Sequence, residues 1–440
     1  MDLTNKDLSM LTSDLTMKSA SVYKQDPTLA TAIDKLYRRN QEENLTTTIS
    51  LPDRKLDFRD VQQILNKPPK DIATTPDNSL QEKSNTRKAL MKIIEDILGK
   101  LNHSAEKGDT PLLVLRNQHL WSNCVYDLER VTLKRFADAR KTTLRYSNSN
   151  DRTRFNAVVF VLTKVHDLLS KNLSVTRREL FYQNVTRFRN QTNLDVAVRD
   201  VCCLLQTPPW NLGIMATAKG LIAGSLKIIL RDGSCIDCFG AGGTLIPQDV
   251  DGIIEFRTSA KYILVVEKDA IFQKLLDEGA LVRLGPVIIM TGKGYPDVCT
   301  RQLLCRLVNE LRLSALALVD ADPHGYEIFL TYKYGSLAQS HISQSLACSS
   351  LRLLGARHCD IMTLAPKEAH LTLTARDKRK IVSLVKRPYL NTPTGSIIKK
   401  DLEDMLESGK KAEMEALSPT ASALCDFYLP FKIIQADYLG

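Results

Sequence analysis

Three short runs of almost purely apolar residues, Tyr262–Val266, Val287–Met290 and Ala315–Val319, alternate with two segments of helical spacing, 270–278 and 298–312. A strand that is apolar on both faces has to be covered on both, so the alternation predicts a parallel sheet with helices packed on either side. In such a sheet polar function collects at the carboxyl ends of the strands. Two of those ends carry acids. Glu267 follows Val265 and Val266, while Asp320 and Asp322 follow Leu318 and Val319. Carboxylates gathered at one edge repel one another unless a proton or a cation intervenes. An all-oxygen set with no His or Cys beside it suits Mg2+, with Mn2+ able to substitute. One acid in such a place is more often a helix cap. Three at matching strand ends are candidate metal ligands.

Between these ends lies Thr291-Gly292-Lys293-Gly294-Tyr295-Pro296, a strand-to-helix turn in which Lys293 can meet a phosphate. The chain contains no G-x-x-x-x-G-K-[ST] loop, so no ATPase activity is expected within it. Gly240-Ala241-Gly242-Gly243 has no strand feeding directly into a helix and reads as a flexible loop.

Upstream the grammar is helical. Leu90, Ile94, Ile97, Leu98 and Leu101 repeat at helical spacing behind an Asn85/Thr86 cap, and Phe155, Val158, Leu162, Val165 and Leu169 form one face of a second helix. Thr176 followed three residues on by Glu179 is a capping box, which starts a third helix with Arg178 and Tyr182 on one face. A fourth, with Leu194, Val198, Val201, Cys202 and Leu205, stops before Pro208 and Pro209. Strands are expected at 212–215, 226–230 and 236–239. Helix-turn-helix followed by a small β wing is a winged-helix order. The expected architecture is therefore multidomain α/β: an arm over 1–84, a winged-helix domain over 85–250, and the parallel-sheet domain with a C-terminal extension over 251–440. The arm is rich in Ser, Thr, Asn, Asp and Lys and broken by Pro27, Pro52, Pro68, Pro69 and Pro76, so it is expected to be mostly disordered, with a small docked element or linear motif at 49–65.

The chain has 60 Lys and Arg against 50 Asp and Glu, a formal charge of +10, which fits a polyanionic partner better than a small metabolite. Ten cysteines without regular pairing, and no secretory start, point to a reducing compartment. Cys235-x-x-Cys238 lacks the second pair that structural zinc needs. No run of about 18 apolar residues appears, so no membrane span is expected.

Taken together, Val266-Glu267-Lys268-Asp269-Ala270, Thr291-Gly292-Lys293-Gly294 and Val319-Asp320-Ala321-Asp322-Pro323-His324-Gly325 resemble the Toprim fold of topoisomerases and primases. The last string is similar to one in the A-type chain of topoisomerase VI and its meiotic relatives of the Spo-eleven family. Arg178-Glu179-Leu180-Phe181-Tyr182 resembles that family's nucleophile motif, and Ala218–Gly224 resembles the segment leading into its wing. The resemblance runs in order from about Lys88 to Leu390. It implies that Tyr182 is the nucleophile, Arg178 its neighbour at the phosphate, Glu267, Asp320 and Asp322 the metal ligands, and Lys219 and Lys293 contacts to backbone phosphates of double-stranded DNA. It further implies a nuclear homodimer whose sites are shared between protomers, a GHKL-type partner resembling the B-type chain of topoisomerase VI, and breaks that initiate meiotic recombination. Three other readings remain: a true topoisomerase VI component that reseals its breaks, a catalytically silent DNA-binding scaffold, and a primase-like polymerase, which would have no use for Arg178 and Tyr182.

Overall fold

The computed structural model describes residues 72–73 and 79–439, apart from 128, 129, 241 and 419–421. The element expected at 49–65 lies outside the described residues. Within the stretch assigned to the arm, β1 (Ile72–Ala73) pairs antiparallel with Thr258 and Arg257, and α1 (Ser79–Glu106) begins upstream of the expected Asn85/Thr86 cap. The physical reason is propensity: Leu80, Gln81, Glu82 and Lys83 all propagate a helix, and one Asn and one Thr in its interior cost too little to stop it.

The next elements were not expected. β2 (Leu112–Arg116) pairs antiparallel with β5 (Lys141–Arg145), and between them β3 (Cys124–Asp127) and β4 (Arg130–Leu133) form a second antiparallel pair. Leu113 and Leu115 point inward from β2 and join the core of the helices. α2 (Ser149–Lys171) starts at Asn148, whose side chain accepts from the Asn150 amide, and buries Phe155, Val158, Val161, Leu162, Val165 and Leu169. β6 (Val175–Thr176) leads into α3 (Arg177–Tyr182), and α4 (Gln191–Leu205) closes the layer with Leu194, Val198, Val201 and Leu205 buried. Each fully buried aliphatic side chain contributes about 1.5–3 kcal/mol. This body has a core of its own, which Leu212 and Ile214 beyond α4 complete.

After Pro208 the first turn is 3-10, and only β7 (Ile214–Met215) is extended, parallel to β6. The strand that follows was not expected. β8 (Leu221–Gly224) lies antiparallel on the main sheet, with Gly224 opposite Ile288. Gly224 adopts φ +129°, and a Cβ there would sit 2.3 Å from the Val287 carbonyl oxygen, so only glycine permits the close pairing. β9 (Leu226–Leu230) and β10 (Cys235–Asp237) pair with each other, and β9 also pairs with β12 (Ile253–Thr258), giving a separate sheet ordered β1-β12-β9-β10. A division at residue 250 therefore cuts between hydrogen-bonded strands. β11 (Thr244–Leu245) edges the main sheet beside β8.

The β-α-β-α-β expectation holds: β13 (Tyr262–Val266), α5 (Asp269–Asp277), β14 (Val287–Thr291), α6 (Val298–Leu311) and β15 (Ser314–Leu318) follow in order. The sheet runs β11-β8-β14-β13-β15-β16, with β16 at Arg352–Gly355 and the last four strands parallel. Every residue of β13 and β14 is buried. Ile263, Val265, Ile288 and Met290 face α6, while Leu264, Val266, Val287 and Ile289 face α5. α7 (Pro323–Lys333) follows β15. Beyond β16 come β17 (Leu371–Thr372), α8 (Ala375–Val385), α9 (Pro393–Ser408) and β18 (Lys410–Lys411), with β18 paired to β17. No helix among the described residues is long and apolar enough to cross a membrane.

Candidate active site

The parallel register sets the site. Val266 of β13 lies opposite Leu318 of β15, so the residues that follow the two strands leave the sheet side by side. Glu267 and Asp320 are both buried, and a Glu267 carboxylate oxygen accepts the Asp320 amide at 2.8 Å. Asp320 Oδ1 accepts the Met414 amide at 2.9 Å. Its Oδ2 lies 3.1 Å from Lys268 Nζ. Asp322 is the N-cap of α7: its Oδ1 accepts the Gly325 amide at 2.7 Å, with Pro323 in the first turn, where its missing N–H costs nothing.

Burial, then the charge of Asp320, pushes the Glu267 carboxyl up to about 8, against the opposing pull of the Asp320 amide. Burial likewise pushes Asp320 up to about 6, with the Met414 amide and Lys268 holding it down from going further. The charge of Asp322 adds to both. Burial disfavours the Lys268 ammonium, but Asp320, Glu415 and Glu413 together override that and hold it more firmly charged than a free lysine. Among the described residues no three His, Cys, Asp or Glu side chains are closed up as a coordination cluster. The reason is visible: Asp322 is turned to its cap and Asp320 to Lys268. The donor chemistry still fits a hard divalent cation, because two adjacent buried carboxylates with a third at hand form an oxygen-only set short of positive charge.

The turn after β14 reaches the same edge. The Gly294 amide donates to the Glu267 carbonyl at 2.8 Å, and Lys293, in the left-handed region at φ +52°, lies 3.0 Å from Asp269 through its ammonium. Lys219 donates through Nζ to the Lys293 carbonyl at 3.1 Å and through its amide to Asp297 at 3.0 Å. The structure thus brings together the two lysines read from the sequence, both exposed.

Tyr182 and Arg178 lie on α3 of the helical body. The Thr176 hydroxyl accepts the Glu179 amide at 3.1 Å and the Glu179 carboxylate accepts the Thr176 amide at 3.4 Å, so the expected capping box is present and fixes where α3 begins. Leu180 anchors the short helix in the core, leaving Arg178 exposed and Tyr182 71% exposed at its last position. Among the described residues no hydrogen bond or ion pair joins either of them to Glu267, Asp320 or Asp322.

Sequence reasoning missed Lys268, Asp297 and the segment at Glu413–Glu415. Lys268 stands between Glu267 and Asp269, and a lysine flanked by two acids reads as solvated charge. Asp297 caps α6 by accepting the Thr300 amide at 2.8 Å, a signal legible in the Asp297-x-x-Thr300 spacing. Glu413 and Glu415 follow a two-residue strand that has no period to read. All ten cysteines are free thiols, with Cys235 exposed and Cys238 buried.

Residues 262–433 match the Toprim domain family of the topoisomerase 6 A chain and Spo11, and residues 153–214 match the family described as Type IIB DNA topoisomerase. The chain is 35% identical to the meiotic recombination protein SPO11 of Mus musculus over 347 residues, 78% of this chain and 87% of that protein. This chain belongs to the topoisomerase VI A/Spo11 family. Other members lie at similar identity, one with the same kind of name and one named as a topoisomerase. The meiotic recombination protein W68 of Drosophila melanogaster is 35% identical over 78% of this chain and 96% of its own length, and the A3 chain of DNA topoisomerase 6 from Oryza sativa subsp. indica is 37% identical over 72% of each chain. The family's Toprim domain runs past Leu390, where the sequence resemblance stopped, and includes the segment whose Met414 amide holds Asp320. The upstream match spans α2 to β7 and contains Arg178 and Tyr182.

Proposed function

We propose that the chain is a DNA-cleaving transesterase that makes double-strand breaks and initiates meiotic recombination in the nucleus, with double-stranded DNA as substrate. The observation that carries the reading is Tyr182: a large aromatic at the solvent, on a helix whose start is pinned by a capping box and whose floor is Leu180. A tyrosine serving packing would be turned inward. The phenol oxygen of Tyr182 attacks the scissile phosphorus in line, the bond from phosphorus to the 3′ oxygen breaks, and the phenol proton ends on that oxygen. The products are a 5′-phosphotyrosyl bond and a free 3′-hydroxyl. One phosphate ester is exchanged for another, so no ATP is consumed. A phenol with a pKa near 10 is a weak nucleophile at neutral pH and needs positive charge at the phosphate. Arg178, one turn away, supplies a planar fork for the non-bridging oxygens. Glu267, Asp320 and Asp322 would hold Mg2+ or Mn2+, whose charge stabilises the developing negative charge at the reacting phosphate. Lys219 and Lys293 extend the edge as contacts to backbone phosphates, supplying affinity without sequence preference.

The helical body between α1 and β7, with β2 and β5 packed on it, is proposed as the winged-helix unit that presents Tyr182 to the duplex. The reading includes a homodimer in which each Tyr182 works with its partner's acid edge, the arrangement that the family resemblance implies. A second reading is favoured by the topoisomerase chains among its relatives: the same site run in reverse reseals the break, with a B-type ATPase partner driving strand passage.

The test incubates the protein and a B-type partner with supercoiled DNA and Mg2+ or Mn2+, denatures, and looks for protein covalently held on 5′ ends, with Tyr182→Phe alongside. An adduct lost in that variant supports the nucleophile. An adduct that survives it assigns the chemistry to another residue, and DNA binding without any adduct favours the scaffold.

A further inference from the structure

We infer that Lys268 is a resident counter-ion of the acid edge, held in common by Asp320 and the Glu413/Glu415 pair, and that those two glutamates set divalent-cation affinity by drawing the lysine off Asp320. This rests on the reading of Glu267 and Asp320 as metal ligands.

Three distances carry it. Lys268 Nζ lies 3.1 Å from Asp320 Oδ2, 3.1 Å from a Glu413 oxygen and 3.1 Å from a Glu415 oxygen. An ammonium has three donors, and here each has a carboxylate. The three acids differ sharply in surroundings: the Asp320 side chain is 9% exposed, whereas those of Glu413 and Glu415 are 62% and 46% exposed. A buried carboxylate without a cation is costly, and a solvated one is not. The lysine therefore does its work at Asp320, and the glutamates give it a second place to sit. Asp320 Oδ1 already accepts the Met414 amide, so Lys268 occupies the oxygen through which an incoming cation meets least prior commitment. Lysine and divalent cation compete for the same oxygen. Glu413 and Glu415 are in turn held at the site by backbone: Ala412 donates to the Ala321 carbonyl at 3.2 Å, and Ala321 lies between Asp320 and Asp322. The chain that brings the glutamates is thus fastened to the strand end that carries the ligands.

A lysine that merely braced the fold would, when removed, weaken everything around it. A competing counter-ion gives effects of opposite sign. The experiment titrates the full-length protein, without DNA, with Mn2+ and follows free Mn2+ by electron paramagnetic resonance, with melting temperature in EDTA as the control for folding. Lys268→Met is expected to bind Mn2+ on the order of fivefold more tightly, the factor that corresponds to losing one partly exposed ion pair of about 1 kcal/mol. The double substitution Glu413→Gln with Glu415→Gln leaves the lysine nowhere to go but Asp320 and is expected to weaken binding by a similar factor. Lys268→Arg keeps the charge and should stay within about twofold of the unmodified protein. Both charge-altering variants weakening Mn2+ together, or neither moving it, overturns the inference. Should Lys268→Met fail to fold, the exposed glutamate pair decides alone: unchanged or tighter binding there is equally fatal. If the unmodified protein takes up no Mn2+ that Asp320→Asn abolishes, it is the metal reading that fails, and that outcome is recognisable before any lysine variant is compared.

Discussion

Gly325 shows how closely single atoms constrain this edge. A Cβ built there would lie 2.4 Å from the Asp320 carbonyl oxygen, 2.9 Å from its amide nitrogen and 3.0 Å from a Glu267 carboxylate oxygen. The last residue of the Asp-Ala-Asp-Pro-His-Gly string is thus a requirement for space beside two acids. Gly325→Ala is expected to cost about 1–3 kcal/mol, the range for overpacking a tight interior, and to part Glu267 from the Asp320 amide. Urea unfolding measures it, and a midpoint unchanged from the unmodified protein would show that the neighbours yield freely. Tyr182→Phe should behave oppositely, shifting stability by less than about 0.5 kcal/mol because the ring is in solvent. What was legible at this scale followed from spacing: Thr176 with Glu179 gave the cap, and acids directly after apolar strands gave Glu267, Asp320 and Asp322. Lys268 was illegible because its partners Glu413 and Glu415 lie about 145 residues away in the chain, and no local pattern announces a contact of that separation.

Among the elements, those buried on both faces were the easiest to read. β13, β14 and β15 are continuous apolar runs that only cover on both faces can accommodate, and their order fixes the parallel sheet. β2 was legible in principle, since Leu113 and Leu115 alternate inward, but polar stretches on either side leave it only five residues in which to show a period. β6, β7, β11, β17 and β18 have two residues each, too few to show any period. β9 and β10 do pair, as strands read at 226–230 and 236–239 could, but the sheet they join with β12 was not legible, because a strand pair does not name the sheet it will join. α8 offers a test of how the C-terminal segment is tied down. Its capping box uses Thr374 and Asp377, and Asp377 also meets Lys411 of β18 at 2.9 Å. Burial would raise the Asp377 carboxyl, yet the Lys411 ion pair and the Thr374 bonds win and bring it to about 2. A carboxyl held below its ordinary value near 4 adds stability above that value and loses it as pH falls through about 2. Asp377→Asn is therefore expected to cost about 2 kcal/mol at pH 7, the worth of the shift, with the gap to the unmodified protein closing between about pH 4 and pH 2. A gap that stays constant over that window would show that the carboxylate's charge is not what holds α8 to β18.

At the scale of the whole molecule the two lysines adjoin the edge that carries the acids, since the Gly294 amide beside Lys293 donates to the Glu267 carbonyl. Lys219 and Lys293 meet through a single hydrogen bond at the acid edge, so as phosphate contacts each should act on affinity alone. Replacing either by Ala is expected to lower the slope of log affinity against log salt by about 1, with equal effect on unrelated DNA sequences. Sequence-dependent losses would mean base contacts instead. The proposed sharing of sites between two chains leads to a sharper prediction. If each tyrosine works with its partner's acids, a mixed dimer of one Tyr182→Phe chain and one Glu267→Gln chain has one site with both an intact tyrosine and intact acids, and one site with neither. Such a dimer should nick one strand of supercoiled DNA and leave a covalent adduct only on the Glu267→Gln chain, while homodimers of either variant do nothing. If instead tyrosine and acids of the same chain cooperate, every site in the mixture is broken and the DNA stays closed. The two arrangements share every residue and differ only in which chain supplies them, so the strand count of the product, together with the size of the labelled chain, separates them without requiring a structure of the complex.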